Sequence, residues 1–355
     1  MFKTHVLDKR ITLQIGFKTK NMENLTIGLT LFFLLATTGC KTVEKTTLLE
    51  RNFPNVQLIS QGDNIPDFRI KTDSANYLLT YLHENKSLSE FKRDTKLDDE
   101  TVNKTIELLK NKNWLAEKNG KLKPTIFIAT AEEGEKLYRY AKPISKQIAD
   151  DIEKQIPTIK AEFAKTDMAK KQRFEHWSFL ILSNVLLDNW QIFEMEKNFF
   201  KQADGKEYRR PLRHGKNYYA SIKEKVEKNK EEFGIYGNAI LSYSDKKMIA
   251  IYGNNRYSND NYRKMQSSTN HISNDDDRVL TQMAQDFLPK LLTILERNRQ
   301  YAEKVYTKTG YAQEISFEEF FIWWYHFIYT QATNEMSKRG MLIIPPDGNF
   351  DYERS

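Results

Sequence analysis

The hydrophobic pattern of the chain first becomes regular near residue 74, where apolar residues begin to recur every three or four positions. This spacing puts them on one face of a helix and predicts three short helices. The three helices are predicted at residues 75–84, after the capping box Ser87–Glu90, and at residues 99–113. Residues 114–120 then predict a strand that enters an Asn-Gly turn, with residues 125–129 as the returning strand. A second capping box, Thr130–Glu133, opens the next helix.

The pattern after residue 140 predicts a mainly helical region. Isoleucines and a phenylalanine over residues 144–163 form one amphipathic stripe, and Pro157 is expected to kink or restart this connecting helix. Further helices are predicted at residues 174–200 (one long or two shorter), 217–232, 278–306 with a bend at Pro289, and 316–338. Residues 239–243 and 248–252 predict a β-hairpin, and a long polar loop follows over residues 253–277.

Three helices, a two-stranded hairpin and a restarting helix resemble a winged helix-turn-helix domain, in the arrangement of MarR-type regulators. The resemblance covers about residues 74–145 and implies that the third helix would enter a DNA groove. That helix opens with Asp98, Asp99 and Glu100, and residues 72–140 carry 12 basic and 12 acidic side chains. DNA-binding surfaces instead present lysine and arginine to the phosphates. We therefore expect this module to contact proteins and not nucleic acid.

Cys40 is the only cysteine, and it follows a basic lead, a largely apolar run over residues 25–36 and the small residues Thr-Thr-Gly. This order is typical of a secretory signal peptide, and the apolar run is shorter than the roughly 20 residues that cross a bilayer. The segment resembles the lipobox of bacterial lipoproteins. The resemblance implies that the signal is cut before Cys40 and that the cysteine is acylated. Lys41 stands where an inner-membrane retention signal has aspartate, which favours the outer membrane.

Charge and cysteine content exclude several classes of function. The formal net charge of +7 falls to about +4 when the five basic and two acidic groups of residues 1–39 are removed. This excess is too small for a strong field toward nucleic acid or anionic lipid. A single acylated cysteine also excludes internal disulfides, thiol catalysis and cysteine-based metal sites.

The elements together predict an α+β protein that is mainly α, with a winged-helix-like module followed by a helical domain that contains one β-hairpin. The predicted divisions are a signal peptide (1–39), a tether (40–70), the winged-helix-like module (71–145), a connecting helix (146–170), the mainly helical domain (171–345) and a tail (346–355).

Three polar residues are candidates for a pocket or a buried polar role. His326 lies in the aromatic segment 320–329, and it is either an acid, base or ligand in a pocket or, as we favour, a core histidine bonded to the backbone or a tyrosine. Asp188 shares a helical stripe with apolar residues, so we expect it to pair with an arginine of the loop 208–213 or to end its helix in solvent. His176 is the third candidate.

The densest basic patch is a candidate anion-binding site, and it comprises Arg209, Arg210, Arg213 and His214. Neighbouring tyrosines suit a lipid headgroup, a glycan phosphate or nucleic acid, and a solvated loop face is the alternative. Asn274–Asp277 is interpreted as the cap of a helix that begins at Arg278. The sequence carries no zinc-site spacing, no Gly-rich phosphate loop and no Gly-x-Ser-x-Gly motif, so no metal, cofactor or catalytic residue is predicted.

Three functions fit these observations. The leading hypothesis is a lipid-anchored, extracytoplasmic binding or scaffolding protein that acts through protein–protein contacts. Its expected partners are the membrane, through acylated Cys40, and other envelope proteins, with no nucleic acid. The alternatives are a cell-envelope enzyme with a site near His326 and Asp188, and a cytoplasmic winged-helix DNA-binding regulator whose N-terminus is not a signal peptide.

Overall fold

Helices dominate the computed structural model, and the prediction of a mainly α, mixed α+β fold is confirmed. The structure describes residues 48–51, 53, 56–61, 64–69, 74–200, 208–224, 235–244, 247–254, 265 and 267–355. All of them belong to one unit that spans residues 46–355. In this part of the chain, no helix has both the length and the apolar composition needed to cross a membrane.

The helices occur in three runs along the chain, and strands separate these runs. They are α1 (Ala75–His83), α2 (Leu88–Thr95), α3 (Asp99–Asn111), α4 (Ala131–Phe163), α5 (Asp167–Lys171), α6 (Phe174–Phe179), α7 (Ile192–Phe199), α8 (Asn274–Arg297), α9 (Arg299–Lys308) and α10 (Phe317–Lys338). A π-helix (Leu180–Val185) follows α6, and a 3₁₀ turn (Tyr311–Gln313) precedes α10.

The strands form two small sheets and two short hairpins. They are β1 (Val56–Ile59), β2 (Leu115–Lys118), β3 (Lys121–Pro124), β4 (Phe127–Ala129), β5 (Leu212–Arg213), β6 (Lys216–Asn217), β7 (Tyr219–Lys223), β8 (Tyr236–Ser244), β9 (Lys247–Asn254), β10 (His271–Ile272) and β11 (Asn349–Arg354). One sheet has the order β1-β7-β4 and the other β10-β11-β9-β8, while β2–β3 and β5–β6 are hairpins. The β1–β7 pair is antiparallel, and the β4–β7 pair is parallel.

The three N-terminal helices and the Asn-Gly turn lie where the sequence predicts them. Both predicted capping boxes are present, because the side chains of Ser87 and Thr130 each exchange hydrogen bonds with the glutamate three residues on. The returning strand was predicted wrongly at residues 125–129. A two-residue turn lets pairing resume at once, so β3 begins at Lys121 and pairs Lys118 with Lys121. Residues Phe127–Ala129 instead form β4 beside β7.

The connecting helix is part of α4, a single helix of 33 residues that contains both Pro143 and Pro157. The helix therefore does not restart at Pro157. α10 packs along it, and Ser145 Oγ of α4 donates to the backbone oxygen of Ile328 at 2.8 Å. This contact joins α10 to α4, which is the longest helix of the described structure.

Three elements in the second half differ from the prediction. The helix predicted at 217–232 is wrong over its first part, where residues Tyr219–Lys223 form β7, and residues 225–234 lie outside the described part. β7 is buried on both faces, so its sequence lacks the alternation that marks a half-buried strand. α8 begins four residues before Arg278, with Ser273 and Asp276 as its capping box. The helix predicted at 278–306 is divided at Asn298 into α8 and α9, and α8 continues through Pro289.

The predicted hairpin of β8 and β9 is confirmed, and the last residues of the chain complete its sheet. β11 lies between β9 and β10 and pairs antiparallel with β9. Gly253 permits this close approach, because a Cβ at that position would lie 2.4 Å from the backbone oxygen of Gly348. No pattern in the predicted tail indicated this strand.

The apolar interior of the described residues forms two clusters. The larger one includes most of α4, α6, α8 and α10 and one face of the four-stranded sheet. The smaller one lies among α1, α2 and α3. β7 contributes to both, because Tyr219 belongs to the larger cluster whereas Ala220 and Ile222 belong to the smaller one. β7 is therefore the strand along which the two halves of the described structure meet.

Candidate functional site

A π-helix carries polar side chains into the larger apolar cluster. Residues Leu180–Val185 are all buried, and they continue α6 with π-type hydrogen bonding. Such insertions are rare and occur frequently at functional sites. Ser183 and Asn184 lie within the π-helix, and Asp188 follows one turn later. The π-helix and the turn after it therefore concentrate polar groups in an otherwise apolar interior.

Asp188 belongs to a hydrogen-bonded network that links this turn to the four-stranded sheet. The side chain of Asn238, on β8, donates to Asp188 Oδ2 at 3.1 Å. Asn238 and Asn184 also exchange amide hydrogen bonds of 2.7 and 3.0 Å. Tyr352, on β11, donates to Asn238 Oδ1 at 2.8 Å. Asn238 is therefore the residue through which Asp188 is connected to the sheet.

The environment of Asp188 favours its neutral form. Burial raises the pKa of Asp188 to about 7, although the hydrogen bond from Asn238 acts to lower it. Both roles expected from the sequence are wrong, because Asp188 is 5% exposed and the paired arginines of the loop contact other carboxylates. A carboxyl group with a pKa near 7 can both donate and accept a proton at neutral pH.

Buried tyrosines surround this network and extend it. Tyr329 OH donates to the backbone oxygen of Tyr236 at 2.6 Å, and Tyr325 OH donates to that of Leu187 at 2.8 Å. The hydroxyl of Tyr252 forms a hydrogen bond with Ser183 Oγ. Burial raises the pKa of all three phenols well above 10, so these groups remain protonated donors.

His326 is a neutral core histidine. Its Nδ1 lies 2.8 Å from the backbone oxygen of Ile322, which makes Nδ1–H the donor. Burial, reinforced by the charge of Lys223, lowers the pKa of His326 to about 3. Its ring lies 5.5 Å from that of Trp323 and 5.2 Å from that of Tyr329, centroid to centroid. The backbone-bonded geometry is the one that the sequence favoured.

Two arginines of the candidate anion-binding loop are already paired with glutamates. Arg210 Nη2 lies 2.7 Å from Glu196 Oε2, and the guanidinium lies 4.6 Å from the ring centroid of Phe193. Arg213 Nη2 lies 2.6 Å from Glu319 Oε2, and both side chains of this pair are at most 3% exposed. Burial raises the pKa of Glu319, although Arg213 acts to lower it. These two guanidinium groups therefore stabilise the fold.

The other sequence candidates lie at the surface and apart from one another. Arg209 is exposed. His214 is half-exposed, with its Nε2 3.9 Å from Asp67 Oδ2. His176 is also exposed, and its Nε2 lies 2.7 Å from Asn270 Oδ1. The structure does not bring His176, His214, Asp188 and His326 into one site.

Sequence reasoning missed a buried histidine between two carboxylates. His83, the last residue of α1, has Nδ1 2.7 Å from Glu314 Oε2 and Nε2 3.0 Å from Glu133 Oε2. Burial alone would lower the pKa of His83, but its hydrogen bonds to Glu133 and Glu314 raise it to about 10. The charged imidazole in turn lowers the pKa of Glu133. The capping box Thr130–Glu133 was the only signal in the local sequence. It identified Glu133, but it gave no indication of Glu314, the second partner of His83.

Two further sequence predictions concern the lipid anchor and metal binding. Cys40 lies outside the described residues, so its acylation stays a prediction. Within the described ranges, no three His, Cys, Asp or Glu side chains are placed to hold a metal ion. Comparison with protein-family models, with curated proteins and with solved structures gives no significant match.

Proposed function

We propose that the protein is a lipid-anchored, extracytoplasmic binding or scaffolding protein of the bacterial envelope that acts through contacts with other proteins. Acylated Cys40 would hold the chain at the membrane, with the outer membrane favoured. The winged-helix-like module of residues 71–145 would supply the contact surface. This assignment follows the resemblances of the sequence and the charge of α3.

The exposed face of α3 is the observation that carries the proposal. Its exposed carboxylates are those of Asp98, Asp99, Glu100 and Glu107. Lys104 is the exposed cation on this face, and its Nζ lies 2.6 Å from Glu100 Oε1. A helix in a DNA groove would meet phosphates with this surface, and like charges repel. The same surface is electrostatically complementary to a basic protein patch.

The anchor is tested by metabolic labelling with a fatty acid, followed by membrane fractionation, in cells that express the wild type or Cys40→Ala. We expect label and membrane residence in the wild type and neither in the variant. Thr42→Ala, two residues beyond the cysteine, is the matched control and should keep both. An unlabelled, cytosolic wild-type protein would contradict the lipoprotein assignment. It would favour the alternative of a cytoplasmic DNA-binding regulator.

The contact surface is tested by crosslinking in intact cells. The triple variant Asp99→Lys, Glu100→Lys, Glu107→Lys reverses the charge of α3, and we expect it to lose crosslinked species that the wild type forms. A control with the same charge change, Glu194→Lys, Asp286→Lys, Glu303→Lys, alters exposed carboxylates on α7, α8 and α9. Equal loss in both triple variants, or salt-sensitive binding of the wild type to DNA, argues against α3 as a protein-contact surface.

A further inference from the structure

The inner face of β7 carries polar side chains toward α10. Alternate residues of a strand share a face, so Tyr219, Ser221 and Lys223 point to one side of β7. Lys223 Nζ lies 5.2 Å from the ring centroid of Trp323, on α10. Phe127, the β4 partner of Ser221, stacks on the same indole with 6.1 Å between centroids. The Lys223 amine and the Trp323 indole therefore lie together at this junction, with Ser221 two residues along the same face.

Three polar atoms on these side chains are buried without a hydrogen-bond partner. They are Lys223 Nζ, Ser221 Oγ and Trp323 Nε1, and no group in the part of the chain that the structure describes bonds to them. Buried polar atoms are nearly always bonded, and each exception calls for a physical cause. Burying a cation without a counter-charge is especially costly. A ligand that accepts hydrogen bonds from all three atoms would be a common cause for their lack of a protein partner.

His326 adds a hydrogen-bond acceptor to these three donors. Because its Nδ1–H donates to the backbone oxygen of Ile322, Nε2 of the neutral ring keeps a lone pair and is an acceptor. The His326 ring lies 5.5 Å from that of Trp323, and the charge of Lys223 acts on it. The cluster thus combines a cation, two neutral donors and one acceptor beside aromatic rings.

We propose that Lys223, Ser221 and Trp323 bind the carboxylate group of a small monocarboxylate anion. The amine supplies one positive charge, which balances one negative charge and leaves a phosphate dianion half-neutralised. The hydroxyl and the indole N–H supply directed donors to the carboxylate oxygens. His326 Nε2 can accept a hydrogen bond from a hydroxyl or amide on the ligand body, and the rings of Trp323 and Phe127 contact its apolar part.

Two further observations fit this site. Lys223 is partly exposed as a residue although its Nζ is buried, so the site lies just beneath the surface. Burial lowers the pKa of Lys223 to about 7, as expected for an ammonium group that lacks a carboxylate neighbour. The site is independent of the proposed protein contacts of α3, since it belongs to a different surface and a different chemistry.

Isothermal titration calorimetry of the full chain tests the proposal with acetate, butyrate and benzoate as probes, and with butyramide and inorganic phosphate for comparison. We expect saturable binding of at least one monocarboxylate and no binding of the uncharged amide. Lys223→Met removes the charge and keeps the length of the side chain, and it should weaken binding roughly tenfold to a hundredfold. Lys308→Met is the matched control and should leave affinity unchanged, because Lys308 Nζ lies 5.0 Å from the ring of Tyr140 at an exposed position.

A second variant keeps the proposal testable if Lys223→Met does not fold. Trp323→Phe retains an aromatic ring and removes the indole N–H, so it should weaken binding by a smaller factor. The proposal is overturned if no monocarboxylate binds the wild type saturably at millimolar concentration. It is also overturned if both variants bind as tightly as the wild type, or if phosphate binds the wild type more tightly than every monocarboxylate.

Discussion

Two interior regions of this protein differ in whether their buried charged groups have an oppositely charged partner. Around the end of α1, a buried cation meets carboxylates at hydrogen-bond distance, as His83 does with Glu133 and Glu314. Around α10, Asp188 and Lys223 have no oppositely charged partner among the described side chains. The first region can be called the paired region and the second the unpaired region.

Two buried histidines, one in each region, show the effect of a counter-charge on the pKa. The pKa of His83 is raised to about 10 by its carboxylates, whereas burial lowers that of His326 to about 3. Both imidazoles are almost fully buried, so burial does not separate them; the presence of a counter-charge does. Paired charges are typical of structural joints, and unpaired groups with shifted pKa values concentrate at functional sites. The paired region therefore fits a structural role, and the unpaired region fits ligand binding.

The largest effect is expected when the most buried ion pair of the described structure loses one partner. Arg213→Ala leaves Glu319 without its cation, and it also removes donors to the backbone oxygens of Tyr218 and Thr125. Breaking such a pair costs about 3–5 kcal/mol. We expect the free energy of unfolding, measured by urea denaturation, to fall by this amount, and Arg209→Ala at an exposed position to change little.

The double variant Arg213→Met, Glu319→Leu separates the cost of an unpaired charge from the value of the pair. Replacing both partners by apolar groups is often neutral or stabilising, so we expect it to recover most of the stability that Arg213→Ala loses. A double variant no more stable than the single one would show that the hydrogen bonds to the backbone, and not the ion pair, hold this joint.

His83→Gln is expected to cost somewhat less, about 3 kcal/mol, because glutamine keeps one hydrogen bond but loses the charge between two carboxylates. The pKa of His83 is raised from 6.5 to about 10, so its contribution is complete below pH 6.5 and is lost as pH rises through 10. The pKa of Glu133 is lowered from 4.5, so its contribution is lost as pH falls below that value. The difference between wild type and variant should therefore be largest between pH 4.5 and 6.5.

Urea denaturation at pH 6 and pH 10 measures this difference. His176→Gln, at an exposed histidine, is the control and should follow the wild type at both pH values. A His83→Gln penalty that stays the same at pH 10 would mean that His83 contributes through packing and not through its charge.

Local elements could be predicted from the sequence, whereas partners distant in the chain could not. The capping boxes at Ser87 and Thr130 link residues three positions apart, so the sequence alone contains both partners. By contrast, His83 meets a glutamate 231 residues away, and Asp188 meets Asn238 across 50 residues. Only the packing of α1 against the end of the 3₁₀ turn, and of the π-helix against β8, brings these groups together.

The missed strands have the same physical cause. β7 is buried on both faces, and β11 becomes a strand by inserting between β9 and β10. Both are therefore fixed by neighbours from elsewhere in the chain and not by their own pattern. The local pattern predicted the order of α1, α2, α3 and the hairpin but gave no information on the unpaired region. The lipid anchor at Cys40 stays a prediction.

Asp188→Asn tests the unpaired region and should stabilise the protein. The pKa of Asp188 is raised from 3.8 to about 7, so the stability that its neutral form provides is complete below pH 3.8 and is lost as pH rises through 7. The amide cannot ionise, and its oxygen can still accept from Asn238. We expect the variant to gain on the order of 2 kcal/mol over the wild type at pH 8 and little at pH 4.

The comparison needs the free energy of unfolding at both pH values, with Asp286→Asn at an exposed carboxylate as the control. Equal destabilisation by Asp188→Asn at pH 4 and pH 8 would indicate that the carboxyl group is held in its ionised form, and Asp188 would then belong with the paired region.

The smallest effect on stability is expected at an ion pair on the surface. Comparing this pair with the buried Arg213–Glu319 pair tests the effect of burial alone. Lys104 Nζ lies 2.6 Å from Glu100 Oε1, about as close as the Arg213–Glu319 contact, but the two side chains are 72% and 76% exposed. Water solvates both charges and salt screens them, so exposed pairs contribute little to stability. We expect Lys104→Ala to leave the urea midpoint unchanged within error, at low and at high salt. A loss comparable to that of Arg213→Ala would show that the proximity of the two charges, and not their removal from water, sets how much an ion pair contributes to stability in this protein.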